Sequence, residues 1–339
     1  DGTVEITDYN GSAEKVDIPA EIDGKKVTEI GRFAFANKYT LTSVTIPDSV
    51  TSIGESAFNY CTSLTSVEIP NSVTSIGGWA FYDCTSLTSI TIPNSVRSIG
   101  RGAFTNTALL ENQTTTIKYV DKWVVDCDYD VRSVTIKNGT VGVANMAFYG
   151  CENLASITVP DSVTSICESA FKDCTSLTSI TIPNSVMNID DYTFSGCRSL
   201  TSVTIPNGVT YIGNEAFRVC TSLTGITLPD SVTSIGNSAF EWCESLTSIK
   251  ISNSVVGIGS SAFADCTSLT SITIPNGVTS IGDYAFYGCT SLTSITIPKN
   301  VTSIGNNALG YSWSDYYSDD VKSDNFKIYC YSNTAGEQY

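Results

Sequence analysis

The stretch CTSLTSITIPNGVTSIGDYAFYGC, residues 266–289, opens and closes on cysteine and recurs in near-identical form from Cys174 to Cys197 and from Cys61 to Cys84. In the copy that contains Leu177, alternation predicts a short strand with Leu177, Ile180 and Ile182 inward and Thr178, Ser179 and Thr181 outward. Pro183 ends that strand, because it has no N–H to give a ladder. Asn184 and Ser185 suit a turn. Val186 and Ile189 then supply a second inward pair, and an Ala-Phe pair such as Ala170-Phe171 or Ala285-Phe286 completes the apolar set. One such unit is too short to bury its own apolar face. Stacked copies bury all of those faces in one continuous core, which predicts a solenoid rather than a globule.

Outward from this stretch, the register residue is Leu41, Leu64, Leu87, Leu154, Leu177, Leu200, Leu223, Leu246, Leu269 and Leu292, stepping by 23 residues except between Leu87 and Leu154. Val131 holds the Leu position one step before Leu154, and a degenerate opening copy surrounds Val16–Pro19. The expected organisation is a single solenoid over residues 1–339. Residues 1–40 form an N-terminal cap and degenerate first turn, and 41–104 are repeats. Residues 105–130 form an irregular hairpin insert, 131–310 are further repeats, and 311–339 are a C-terminal loop and capping strand.

Composition narrows the function classes. The 339 residues carry 34 acidic against 18 basic side chains, a net charge of −16, with only 15% charged residues in all. Such a chain repels phosphate backbones and anionic lipid, so no nucleic-acid partner is expected. No apolar run approaches the ~20 residues needed to span a bilayer, so no direct membrane insertion is expected. Histidine is absent, which removes the commonest general base and metal ligand together. The chain starts at Asp1 without a signal-like stretch and reads as a mature or excised piece.

The consensus Leu-x-x-Ile-x-Ile-Pro-x-x-Val-x-x-Ile-Gly-x-x-Ala-Phe-x-x-Cys resembles the BspA-like leucine-rich repeat family of bacterial surface and secreted proteins, over essentially the whole chain. The resemblance implies a right-handed leucine-rich-repeat solenoid, β-rich, with a parallel concave sheet, short strands or 3₁₀ turns on the convex side and little α-helix. It also implies an extracellular or cell-surface location and an adhesive or binding role.

Cys61, Cys84, Cys151, Cys174, Cys197, Cys220, Cys243, Cys266 and Cys289 share one repeat position. A zinc site has neither a C-x-x-C pair nor a histidine to support it. Disulfides between stacked neighbours, about 4.8 Å apart, are disfavoured because equivalent Cβ atoms point the same way. The expectation is a ladder of buried free thiols filling a bend. Cys127, Cys167 and Cys330 lie off the pattern, and no bridge is expected for them either. Asp315, Asp319, Asp320 and Asp324 lack an EF-hand spacing and read as a solvated loop. No metal, cofactor or catalytic residue is assigned.

Function is sought where the copies differ. The outward Thr and Ser of the strand barely change; departures such as Glu68, Arg132 and Lys250 are few. The positions flanking Ala-Phe vary far more and bring in Trp79, Tyr82, Tyr192, Trp242, Tyr284 and Tyr287, which are the candidate binding residues. The expectation is a monomeric, non-catalytic binding or scaffold protein. It adheres to a host protein, a glycan or other cells through the solenoid surface. The second reading is a carbohydrate-binding accessory module of a larger fibre-degrading assembly.

Overall fold

A computed structural model describes residues 2–314, 319–323, 325–332 and 334–339. It divides into two units, Asp1–Asp128 with Gly139–Ala147, and Tyr129–Asn138 with Phe148–Tyr339. Each unit is a β-solenoid built from parallel ladders. Among the described residues the helices are two single turns, Ala108–Glu111 and Ala335–Gln338.

In the first unit, one ladder runs through Lys15–Asp17, Ser43–Thr45, Ser66–Glu68 and Ser89–Thr91. The other runs through Thr3–Ile6, Lys25–Ile30, Ser52–Ile53, Ser75–Ile76 and Ser98–Ile99. Identical letters pair from turn to turn, Ile53 with Ile76 and Ile76 with Ile99. The period-2 rule therefore sends the same side chain inward in each turn. After Ser98–Ile99 the regular turn gives way to an antiparallel hairpin, Ile117–Val120 with Trp123–Cys127. The second hairpin strand pairs in parallel with Gly142–Val143, so it stands in for a turn's short strand. Trp123 is fully buried against Gly142, where a side chain would collide with the indole.

The second unit repeats the plan. Ser133–Thr135, Ser156–Thr158, Ser179–Thr181 and Ser202–Thr204 form one parallel run, and Gly225–Thr227, Ser248–Lys250 and Ser271–Ile272 form another. Short strands from Asn188–Ile189 to Ser303–Ile304 make the ladder of the return path. Lys327–Tyr329 closes the stack by pairing with Ser294–Thr296. Tyr311–Ser314 and Asp319–Lys322, read from the sequence as loop, pair antiparallel. Of the acids considered there for calcium, Asp315 and Asp324 lie outside the described residues, as does the side chain of Asp319.

The core is a column of rings. Tyr9, Phe35, Phe58, Phe81 and Phe104 stack in the first unit at 5.2–5.5 Å between centroids. Phe148, Phe171, Phe194, Phe217, Phe240, Phe263 and Phe286 stack in the second at 5.2–5.6 Å. Tyr9 thus ends the first column with an aromatic face instead of an open cavity.

The monotony of Ser and Thr has a cause that one repeat taken alone does not reveal. Thr hydroxyls donate to the carbonyl of the residue one turn back, as from Thr51 to Thr28 at 3.1 Å and from Thr201 to Thr178 at 3.2 Å. The Ser after Asn or Asp in the turn does the same to a Val carbonyl, Ser95 to Val73 at 2.8 Å and Ser231 to Val209 at 2.6 Å. The Thr28 and Thr178 carbonyls already accept the N–H of Thr51 and Thr201, so each hydroxyl adds a second bond from the same residue one turn on.

Candidate functional site

The variable positions lie on the segment between the two-residue strand and the cysteine. Three N–H groups per turn point along the stack there. Those of Ser56, Phe58 and Tyr60 donate to the carbonyls of Gly78, Ala80 and Tyr82 in the next turn, each at 2.8 Å. The N–H groups between them turn back within the loop, Ala57 to Gly54 and Asn59 to Ser56. This alternation goes with a left-handed backbone at two residues in each turn, one immediately before Ala and one immediately before Cys. The first row runs Phe33, Ser56, Trp79, Gly102 and Met146 in the first unit, and Ser169, Tyr192 (before Thr193 instead of Ala), Glu215, Ser238, Ser261, Tyr284 and Asn307 in the second, all with φ between +50° and +60°. The second row includes Asn37, Tyr60, Asp83 and Asn106, then Asp173, Gly196, Val219, Trp242, Asp265 and Gly288.

Left-handed backbone suits Gly, Asn and Asp and costs other residues about 1–2 kcal/mol each. Ser, Asn, Asp or Gly fills many of these positions. Phe33, Trp79, Met146, Tyr192, Glu215 and Tyr284 in the first row, and Tyr60, Val219 and Trp242 in the second, are the exceptions. Trp79, Trp242 and Tyr284 are 38%, 44% and 39% exposed, so core packing does not offset that cost. Tyr82 and Tyr287 sit two residues before their cysteines and are half-buried, as is Tyr192.

The structure joins some of the predicted residues and separates others. Tyr284 and Tyr287 meet edge to face at 5.6 Å. The Tyr287 hydroxyl donates to Asp320 at 2.6 Å, and burial with that carboxylate raises its pKa. Tyr82 meets Tyr60 edge to face at 5.7 Å. Tyr192 lies under the Lys172 ammonium at 4.8 Å, and the nearby Glu215 carboxylate raises its pKa. The Trp242 indole N–H donates to Glu241, whose other oxygen accepts from Arg218 at 2.7 Å. Tyr192, Trp242 and Tyr284 stand two turns apart from one another, with no ring contact between them.

Two members of this edge escape a reading by repeat letter. Phe33 is 47% exposed and sits in the degenerate copy before Leu41; Tyr60 precedes Cys61 where most other copies carry Asp or Gly. The available signal was the Asn, Asp and Gly at the same positions elsewhere, which marks left-handed backbone. On the strand face, a shallow groove of about 570 Å³ opens where Gly225 replaces Ser, between Thr204, Thr227, Ser248 and Lys250. A smaller one, about 390 Å³, lies beside Glu68 and Asp48.

The cysteines stand behind this edge. None of the twelve cysteines is in a disulfide: all nine of the ladder are buried, as are Cys127 and Cys167, while Cys330 is exposed. Burial drives the thiol pKa of Cys174, Cys197, Cys220, Cys243 and Cys266 well up, and that of Cys289 to about 12. A thiol so held is a poor nucleophile and metal ligand. Among the described residues no three His, Cys, Asp or Glu side chains are grouped to hold a metal ion. No helix among them is long and apolar enough to cross a membrane.

A family model described as BspA type leucine-rich repeat region matches residues 9–124, 125–246 and 210–335. A leucine-rich cell surface protein of Faecalibacterium prausnitzii is 31% identical, over 99% of this chain and 93% of that one, with a TM-score of 0.43. A leucine-rich repeat protein of Bacteroides ovatus is 28% identical, over 94% and 92%, with a TM-score of 0.35. No curated protein matches the sequence significantly.

Proposed function

The chain belongs to the BspA-type leucine-rich repeat family, and from that membership we propose that it is a non-catalytic binding or scaffold protein of the cell surface. It adheres to a host protein, a glycan or another cell through the aromatic edge of its turns. The observation that carries this is the placing of exposed Trp and Tyr on left-handed backbone, where stability favours Gly or Asn. A cost kept in several turns of an otherwise uniform repeat points to selection by a partner. The similarity to a protein described as a cell surface protein supports the location. The burial that raises the thiol pKa from Cys174 to Cys289 and the absence of histidine support a role without catalysis.

The test is a panel of matrix proteins and glycans probed with the labelled chain. A second arm uses a variant in which Trp79, Tyr82, Tyr192, Trp242, Tyr284 and Tyr287 are all replaced by Asn. Binding that the wild type shows and the variant loses supports the edge; equal binding by both overturns it. Light scattering of the free chain reads the expected monomer.

A further inference from the structure

We infer that Phe33, Tyr60 and Trp79 form a platform for one extended β-1,4-linked glycan chain, an inference that rests on the binding role proposed above and narrows its ligand. Three successive turns each contribute one exposed ring. Phe33 and Trp79 occupy the same repeat position two turns apart, about 10 Å along the stack. The residue between them in that row is Ser56, which is small and buried. In a β-1,4-linked pyranose chain each ring is flipped relative to its neighbour, so the same face recurs at every second sugar. Phe33 and Trp79, on alternate turns of one row with a small residue between them, meet that recurrence, and Tyr60 stands in the other row of the turn between.

Cδ1 and Nε1 of Trp79 both lie 3.1 Å from where a Cβ on residue 102 would sit, so Gly102 lets the indole lean over the next turn. Phe33 carries the Arg32 guanidinium over one face at 4.8 Å, and Arg32 is itself held by Glu55 at 3.1 Å. Tyr60 stands against Tyr82 in the next turn.

The surroundings favour a sugar over a protein. Every large apolar side chain exposed on residues 31–107 is aromatic: Phe33, Tyr39, Tyr60 and Trp79. A protein partner is ordinarily met by a close-packed apolar patch centred on the interface. Here planar hydrogen-bonding groups flank the rings: Glu55, which pairs with Arg32 at 3.1 Å, and Asp83, which accepts from Asn106 at 3.1 Å. Aromatic faces stack on the C–H face of a pyranose, and planar carboxylates, amides and guanidinium groups pair with its hydroxyls.

The experiment titrates the full chain with cellohexaose and xylohexaose, with maltohexaose and glucose as controls, by calorimetry and tryptophan fluorescence. At least one β-1,4-linked hexasaccharide is expected to bind, and the α-1,4-linked one and the monosaccharide are not. Phe33→Asn and Trp79→Asn each weaken binding about tenfold, the effect of one aromatic contact, and together abolish it. Asn suits left-handed backbone, so both variants fold, as a melting curve checks. Val256→Thr, at an exposed side chain of the second unit, leaves the affinity unchanged. Absence of hexasaccharide binding, equal binding of maltohexaose, or full affinity in the double variant overturns the platform. If the hexasaccharides fail while the edge variant still loses binding to the wider panel, this inference falls and the binding role stands.

Discussion

The Sγ of Cys197 lies 3.2 Å from the carbonyl oxygen of Phe171, one turn back, and donates its hydrogen to it. The same carbonyl accepts the N–H of Cys174 within its own turn, also at 3.2 Å. Seven further cysteines repeat the bond, from Cys61 to Phe35 through Cys289 to Phe263, at 3.1–3.2 Å. The cysteine at the bend is therefore a donor as well as a filling. Cys220→Ala removes that donor and leaves a small void, and about 1–2 kcal/mol of stability is expected to go with them. Denaturant unfolding of the variant beside wild type measures it.

Eleven of the twelve cysteines are buried and Cys330 alone is exposed. A thiol reagent should therefore find about one reactive group per native chain and all twelve after unfolding. Several reactive thiols in the native chain, or fewer than twelve on unfolding, would contradict the ladder of buried free thiols.

The ring column predicts a larger loss. Phe217 stacks at 5.4 Å on Phe194 and 5.3 Å on Phe240 and is fully buried. Phe217→Ala is expected to cost about 3–5 kcal/mol. Because each turn touches only its neighbours, the loss should be local: amide exchange should quicken first around residues 194–240.

Asp190 stands where most turns have glycine. Burial, with Asp191 and Glu168 adding repulsion, lifts its pKa from 3.8 to about 6. A carboxyl whose folded pKa is raised favours folding when protonated. The chain should then lose stability from this group as pH climbs from about 4 through 6, because the unfolded state ionises first. Asp190→Asn is expected to add on the order of 1–3 kcal/mol at pH 7 and almost nothing near pH 4. Melting curves of both proteins at the two pH values decide it.

The left-handed rows predict a gain. Trp242 sits at φ +63° and is nearly half exposed. Trp242→Asn should stabilise the fold by about 0.5–1 kcal/mol through relief of backbone strain. A lowered melting temperature would show that the indole's contacts outweigh the strain.

What the letters revealed and what they hid divide along one physical line. Leu177, Ile180, Ile182, Val186 and Ile189 sort inward by alternation within a single turn, so the stack of parallel turns was legible. The hydrogen bonds that join turns run between residues 22–28 positions apart, as from Ser231 to Val209 and from Thr42 to Glu14. Reading one repeat cannot show them. The Cys thiol therefore looked like packing, and the Thr and Ser like plain exposed strand residues. Trp79, Tyr82, Tyr192, Trp242, Tyr284 and Tyr287 were singled out because they vary. That five turns of the edge bend left-handed beneath exposed rings belongs to the backbone, which letters record only through the Asn, Asp and Gly beside them. Phe33 was passed over because its turn departs from the consensus.

At the two left-handed positions, the N–H and not the side chain holds one turn to the next. Ser56, Trp79, Tyr192 and Glu215 all make that bond at 2.8–2.9 Å. The residue there can be exchanged without disturbing the Phe column or the strand ladders. The fold thus separates letters that must be copied from letters that are free to drift. A lineage can rewrite what such a protein grips, one turn at a time, while inheriting its frame unchanged.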